Sequence, residues 1–195
     1  MNCQIREEDA AVLAEYARIS IAFEVASVLD VELGNRGLSG VVFSERRLPK
    51  VHVKDYDALE KCRPTAWARR WDLSKWGVLS AFAAGERIGG CVIAYDTEGI
   101  PRLSGRTDAA VLWDLRVDPV FRRAGVGSRL FDAAEAWALG RECREFFVET
   151  QNINVPACRF YANRGCVLAA IDRFAYREFP DEVEFVWHKE LKRKQ

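Results

Sequence analysis

The chain has 195 residues, 49% hydrophobic, 30% charged and 11% aromatic, a composition that suits a globular protein with a sizeable core and excludes a disordered one. Lysine plus arginine and aspartate plus glutamate both number 29, so no global basic field exists to gather nucleic acid. No apolar run reaches the ~18 residues that cross a bilayer, and the start, MNCQIREEDAAVLAEY, is acidic where a signal peptide would be basic and then apolar.

The expectation from these bounds is one cytoplasmic domain spanning residues 1–195, with no membrane or nucleic-acid partner. The short basic end KELKRKQ reads as a solvated tail. Six cysteines (Cys3, Cys62, Cys91, Cys143, Cys158 and Cys166) form no CxxC pair, and His52 and His188 are the only histidines. That pattern argues against a metal site, a disulfide framework and a histidine-dependent triad. Reduced, mostly buried thiols are expected.

In chain order, REEDAAVLAEYARI has helical spacing, with Val12, Tyr16 and Ile19 on one side. SGVVFSERRL and KVHVKDY read as short strands or irregular edge segments. Trp67, Trp71 and Trp76 follow in ARRWDLSKW, an aromatic set suited to core or pocket wall. VLSAFAA and RIGGCVIAY flank Gly85-Glu86, a Gly-X pair that predicts a tight hairpin. AAVLWDLRV is a strand stopped by Asp118-Pro119.

The helix GVGSRLFDAAEAWALG comes next, with Val126, Leu130, Ala134 and Trp137 as its apolar stripe. EFFVETQ predicts a strand, and NVPACRFYANRG a helix closed by Gly165. VLAAIDRFAY and EVEFVWHKEL predict two last strands. No repeat and no Pro/Gly/Ser-rich linker divides the chain. The fold class is α/β (α+β): a layered domain whose mixed, mostly antiparallel central sheet is flanked by helices.

The stretch DPVFRRAGVGSRL carries the first chemical signal. A helix N-terminus offers unpaired N–H groups and about half a positive charge, so it binds anions. Gly125 and Gly127 let the chain turn and a phosphate approach. Arg122 and Arg123 add donors beside them. Two other phosphate loops are excluded: Gly127 is followed by Ser128-Arg129 where a P-loop needs Lys-Ser/Thr, and Leu130 stands where the dinucleotide fingerprint has its third glycine. A merely basic surface turn is the bland alternative.

What remains, R-x-x-G-x-G after a strand ending in Asp-Pro, resembles the pyrophosphate-binding motif of the GNAT N-acetyltransferases. The resemblance runs over residues 78–191. It implies a GNAT-type domain and acetyl-CoA as cosubstrate, without a metal. The implied cofactor contacts are Leu115, Arg116 and Val117 on the strand, and Arg122, Arg123, Ala124, Gly125, Val126, Gly127 and Ser128 in the loop. Further on, Asn154 and Tyr161 stand seven residues apart, two helical turns and one face. The matching asparagine in that family contacts the pantetheine arm, and the matching tyrosine protonates the departing coenzyme A thiolate. Taken alone, Tyr161 is equally a core aromatic beside Phe160. Gly165-Cys166 departs from the family's usual Gly-Phe, a difference of packing.

The thioester must be attacked by a neutral amine, yet an alkyl ammonium has a pKa near 10.4. Strand alternation puts Trp113, Leu115 and Val117 on one face of LWDLRV, and Asp114 and Arg116 on the other. Polyamine-type relatives hold the amine with an acidic residue at the place of Asp114, so the resemblance implies ammonium anchoring there, with proton removal through water. The alternative for Asp114 is a salt bridge with a neighbouring arginine. Glu149 in VETQ is the second candidate, with the same alternative.

A narrower likeness covers FEVASVLDVEL, VHVKDYD and ETQNINVPACRFYANRGCVLAAIDRFAY, which look like the streptothricin acetyltransferases. Trp113 stands where that group commonly has an acidic residue. The implied function is acetyl-CoA-dependent acetylation of a primary amine on a small cationic molecule, a streptothricin-like antibiotic, conferring resistance. A protein lysine or α-amine acceptor is a second reading, although the Trp-rich stretch 67–76 suggests a closed pocket. A non-catalytic acyl-CoA sensor is the third, and it would need neither Tyr161 nor Asp114. A homodimer is compatible with all three.

Overall fold

The computed structural model describes residues 3–192, so the last three residues of the basic tail lie outside the described residues. In chain order the elements are β1 (Gln4–Glu8), α1 (Leu13–Tyr16), β2 (Phe23–Leu33), β3 (Val41–Lys54), α2 (Pro64–Trp67), β4 (Gly77–Ala83), β5 (Glu86–Tyr95), β6 (Ala109–Val117), α3 (Val126–Gly140), β7 (Glu145–Gln151), α4 (Val155–Asn163), β8 (Val167–Asp172) and β9 (Glu184–Glu190). They fall into two units, the first built from Met1–Ala22, Asp55–Val148 and His188–Gln195, the second from Phe23–Lys54 and Glu149–Trp187.

In the first unit the strand order is β1-β4-β5-β6-β7-β9. The β1–β4, β4–β5 and β5–β6 pairs are antiparallel, and β6–β7 is parallel, so the sheet is mixed as expected. The predicted N-terminal helix is shorter than its spacing suggests. Gln4–Glu8 pair along β4 instead, because a ladder partner supplies more hydrogen bonds than a short isolated helix can. Asp9 then accepts from the Ala11 main-chain N–H at 2.8 Å and starts a helical turn that ends at Tyr16. Tyr16 and Ile19 do face the core; Val12 is half-buried.

The hairpin turn is displaced by one residue from its expected place. Ala83 pairs with Glu86, so Ala84 and Gly85 turn the chain, both at positive φ (49° and 86°). That is the primed geometry whose twist matches the flanking strands. Helix α3 lays Val126, Leu130, Ala134 and Trp137, all buried, against β4, β5 and β6. Trp67 and Trp76 are core residues with their indole N–H groups satisfied, by the Cys62 carbonyl at 3.0 Å and by Thr97 Oγ1 at 2.8 Å. With Trp71 and Trp113 they form one aromatic cluster, Trp71 and Trp113 edge-on at 4.8 Å.

The second unit holds an antiparallel β2–β3 ribbon, α4, β8 beside β9, and a small core of Val25, Val28 and Ile153. The two short segments expected around SGVVFSERRL and KVHVKDY are one strand. A register shift lets Ala26 of β2 face residues 48–51 of β3, and this bulge accommodates Pro49, which has no N–H for a ladder. Strand β8 ends four residues earlier than read, since Asp172 accepts from the Phe174 N–H at 2.7 Å and turns the chain.

Strand β5 runs close to its neighbours at Gly90. A Cβ there would lie 2.6 Å from a Tyr16 ring carbon and 2.8 Å from the Leu79 carbonyl oxygen, and a ladder carbonyl has nowhere to go. Gly90→Ala is expected to destabilise the protein by about 1–3 kcal/mol through overpacking. Urea unfolding checks this, and an unchanged midpoint would contradict the packing described.

Candidate functional site

The cradle is built by what happens at the end of β6. On the β5 side its ladder continues to Gly89↔Val117. On the β7 side the ladder stops at Leu112↔Val148, so among the described residues Asp114–Val117 keep ladder partners on one side only. A bulge falls at the same point: Val92 pairs with Asp114 and Ile93 with Leu112, leaving Trp113 as the extra residue. The strand thus presents an extended stretch of main-chain donors and acceptors, and then runs directly into the loop before α3.

That loop is held by its own chain. Asp118 Oδ1 accepts from the Val120 N–H at 2.9 Å, and the Asp118 N–H donates to the Ile88 carbonyl. Arg122 differs from its expected role as a side-chain donor to an anion. Its guanidinium donates to the carbonyls of Val117 (3.0 Å), Ala22 (2.9 Å) and Ser20 (3.0 Å), so it fastens the loop. Arg123 is exposed, at positive φ, and its guanidinium has no partner among the described residues. Ala124 is exposed as well.

Gly125 is the N-cap of α3, at φ 84°, and no side chain caps the helix. The N–H groups of Val126, Gly127 and Ser128 lie in the first turn, where the helix itself provides no acceptor. A Cβ on Gly125 would meet no protein atom within 4 Å. Glycine is therefore required here by its left-handed backbone, and the space above it is open.

Beneath β6 lies a charge network. Asp114 and Arg116 share a face, as alternation predicts, and that face is buried. The Arg116 guanidinium, with no solvent exposure, donates to Asp114 (2.9 and 2.7 Å), to Asp57 (2.7 Å) and to the Ile19 carbonyl (3.0 Å). Tyr16 donates its hydroxyl to the same Asp114 carboxylate. Burial works against the Arg116 charge, but the Asp114 carboxylate and its other anionic neighbours outweigh it and hold the guanidinium pKa above its ordinary value. Burial, reinforced by the Asp114 charge, pushes the Tyr16 phenol well up. The salt-bridge alternative for Asp114 is what the geometry contains.

In the second unit, Asn154 caps α4, its Oδ1 accepting from the Ala157 N–H at 3.2 Å. This leaves its amide N–H donors outside the cap. Tyr161 lies on α4, buried, with the Phe160 ring edge-on at 5.1 Å. Cys158 is buried one turn before it, its Sγ 3.5 Å from Thr150 Oγ1. Burial raises that thiol's pKa and makes it a poor nucleophile. Glu149 is exposed on β7. Its Oε1 accepts from the Tyr176 hydroxyl at 2.5 Å and from Gln151 Nε2 at 3.5 Å.

The residues that sequence reasoning did not pick out are Tyr16 as a hydroxyl donor, Asp57, and Tyr176. Tyr16 was visible only as a core aromatic. Asp57 and Tyr176 belong to irregular segments where no spacing marks them. No group of three or more histidine, cysteine, aspartate or glutamate residues able to hold a metal occurs among the described residues. Nor, among them, is any helix long and apolar enough to cross a membrane.

A strand that loses one neighbour and runs into a helix N-terminus that no side chain caps offers main-chain groups to an elongated anionic ligand. The chain belongs to the acetyltransferase (GNAT) family, whose family model matches residues 41–166. It is 30% identical over 169 residues to a streptothricin acetyltransferase of Escherichia coli, across 85% of this chain and 84% of that one. It is 35% identical over 81 residues to streptothricin acetyltransferase A of Bacillus subtilis, which covers 40% of this chain and 47% of that protein. Among solved structures, a Bacillus anthracis protein described as a putative streptothricin acetyltransferase, in complex with acetyl coenzyme A, is similar, at 25% identity and a TM-score of 0.75. The match covers 97% of this chain and 99% of that one.

Asp114→Ala should leave the Arg116 charge buried without its main partner. Breaking a buried pair from one side typically costs about 3–5 kcal/mol. Chemical denaturation should register a loss of that order. A carboxylate that only anchored an acceptor would leave the unfolding midpoint in place, and that result would return Asp114 to the anchoring role.

Proposed function

We propose that the protein transfers the acetyl group of acetyl-CoA to a primary amine of a streptothricin-like cationic acceptor. The observation that carries this reading is the half-paired end of β6 leading into the N-terminus of α3, which no side chain caps. A pantetheine arm is an extended chain with two amides, and it can pair with the main chain of Leu115, Arg116 and Val117 as a short strand would. A pyrophosphate then meets the N–H groups at 123–128 and the positive end of α3. The unpartnered Arg123 guanidinium supplies a charged donor, while Arg122 holds the loop in shape. The Asn154 amide donors suit a pantetheine carbonyl. The streptothricin acceptor rests on the relatives named above.

The chemistry follows from the residue types. The amine nitrogen attacks the thioester carbonyl carbon, the C–S bond breaks, and the coenzyme A thiolate takes a proton from the Tyr161 phenol. A phenol near pKa 10 is a fitting donor to a thiolate whose acid has a pKa of about 8.5. The amine's own proton leaves through water. Glu149, exposed and anionic, holds the incoming ammonium. Asp114, occupied by Arg116 and Tyr16, shapes β6 from beneath. The buried Cys158 thiol takes no part, so transfer is direct. The six free cysteines suit a reducing, cytoplasmic setting.

A coupled thiol-release assay over streptothricin, polyamines, aminoglycosides and lysine peptides tests the reading. Streptothricin is expected to be the preferred acceptor, and Tyr161→Phe to lower kcat by about 10²–10⁴-fold while acetyl-CoA still binds. Cells expressing the wild type should survive streptothricin better than cells expressing the Tyr161→Phe form at matched levels. If no amine in the panel releases thiol, the transferase reading fails. Turnover of a different amine would remove only the antibiotic.

A further inference from the structure

The two oxygens of the Glu149 carboxylate are treated differently. Oε1 accepts the Tyr176 hydroxyl at 2.5 Å, and the Tyr176 oxygen in turn accepts from Gln151 Nε2 at 3.0 Å. Gln151 also reaches Oε1 directly, at 3.5 Å. The second oxygen, Oε2, has no partner among the described residues. Glu149 and Gln151 are two apart on β7, so strand alternation places both on one face, and Tyr176 meets that face from the segment after β8.

We propose that Tyr176 is a positioning residue that sets the specificity for a cationic acceptor: it pins one oxygen of Glu149 and leaves the other as a fixed hook for the acceptor's ammonium. This rests on the acetyltransferase reading above. A glutamate on an exposed strand position normally distributes itself over several rotamers, and holding it for a ligand costs ordering entropy at the moment of binding. A hydroxyl donated to Oε1 pre-pays that cost. The directed chain from Gln151 N–H to Tyr176 O–H to Glu149 also fixes which way the phenol proton points. Tyr176 stays a donor throughout the working range, because burial first, and the charge of Glu149 second, keep its phenol protonated. Glu184 adds to the same effect from β9.

An ammonium fits Oε2 by charge and by donor count, whereas a neutral hydroxyl or amide would not repay the desolvation of the carboxylate. The arrangement therefore selects amines that arrive protonated. Arg159, the nearest cation on α4 by sequence, is paired with Glu45 of β3 and does not neutralise the hook.

Steady-state kinetics with acetyl-CoA and streptothricin, on wild type, Tyr176→Phe, Glu149→Gln and the double variant, test this. Tyr176→Phe is expected to raise the acceptor KM about 10-fold, the scale of one hydrogen bond to a charged group. The saturating kcat and the KM for acetyl-CoA should stay within about twofold, a scale at which neither step is affected. Glu149→Gln should raise the acceptor KM at least as much, and adding Tyr176→Phe to it should do nothing further. An unchanged acceptor KM in Tyr176→Phe, or an effect that persists at full size in the Glu149→Gln background, overturns the proposal. If the wild type turns over no amine, the functional reading has failed instead. The contact is then decided in the free protein: the Glu149 carboxylate ¹³C resonance must move in Tyr176→Phe, and a resonance that stays put overturns the positioning role.

Discussion

The fully buried guanidinium of Arg116 organises the C-terminal end of β6. A charge without solvent is tolerated only when its donors are all directed at acceptors, and here they reach Asp114, Asp57 and the Ile19 carbonyl. Those acceptors come from three separate places in the chain: the strand itself, the loop after Lys54, and the segment three residues beyond α1. One side chain therefore fixes the entry of the N-terminal segment, the 55–58 turn and the strand from which the cradle emerges. Tyr16 closes the arrangement from the other side by donating to Asp114. The result is a strand edge that can lose its β7 neighbour and still hold its shape.

Arg122 repeats the device at the surface. Its three carbonyl contacts, at Val117, Ser20 and Ala22, bind the loop to the same N-terminal segment that Arg116 reaches from below. Two arginines that the sequence marks as basic thus serve the chain's own geometry, whereas the Arg123 guanidinium has no partner among the described residues and no side chain caps α3. Charge counted along a sequence says how many cations are present. It does not say which of them are already satisfied.

That distinction describes what could be read in advance. The α3 stripe, the stop at Asp118-Pro119, the β7 boundaries and the placement of Tyr161 on α4 were legible, because hydrophobic period, proline and capping act within a few residues. The N-terminal strand, the fusion of two short segments into β3 and the one-residue shift of the hairpin were not. Each is decided by a ladder partner distant in sequence, and pairing overrides local helical spacing. The loop before α3 was legible as a motif, but the internal hydrogen bonds of Asp114 and Arg122 were not. Their partners, Tyr16, Asp57 and the carbonyls of Ser20 and Ala22, carry no periodicity that connects them to β6.

Tyr176 marks the same boundary from the functional side. Glu149 is recognisable as an acid on a strand near the cofactor motifs, but an acid that is free and an acid that is half engaged bind an ammonium differently. The free one must be ordered by its ligand, and the half-engaged one is ordered by the fold. Asp114 is the contrasting case, because both of its oxygens face donors and its charge is neutralised internally. Between these two carboxylates, similar in a sequence and 35 positions apart in the chain, only Glu149 keeps an unpartnered oxygen. What separates the two is therefore how each one's tyrosine leaves it: Tyr16 donates to an Asp114 whose oxygens both face donors, whereas Tyr176 donates to one oxygen of Glu149 and leaves the other without a partner among the described residues.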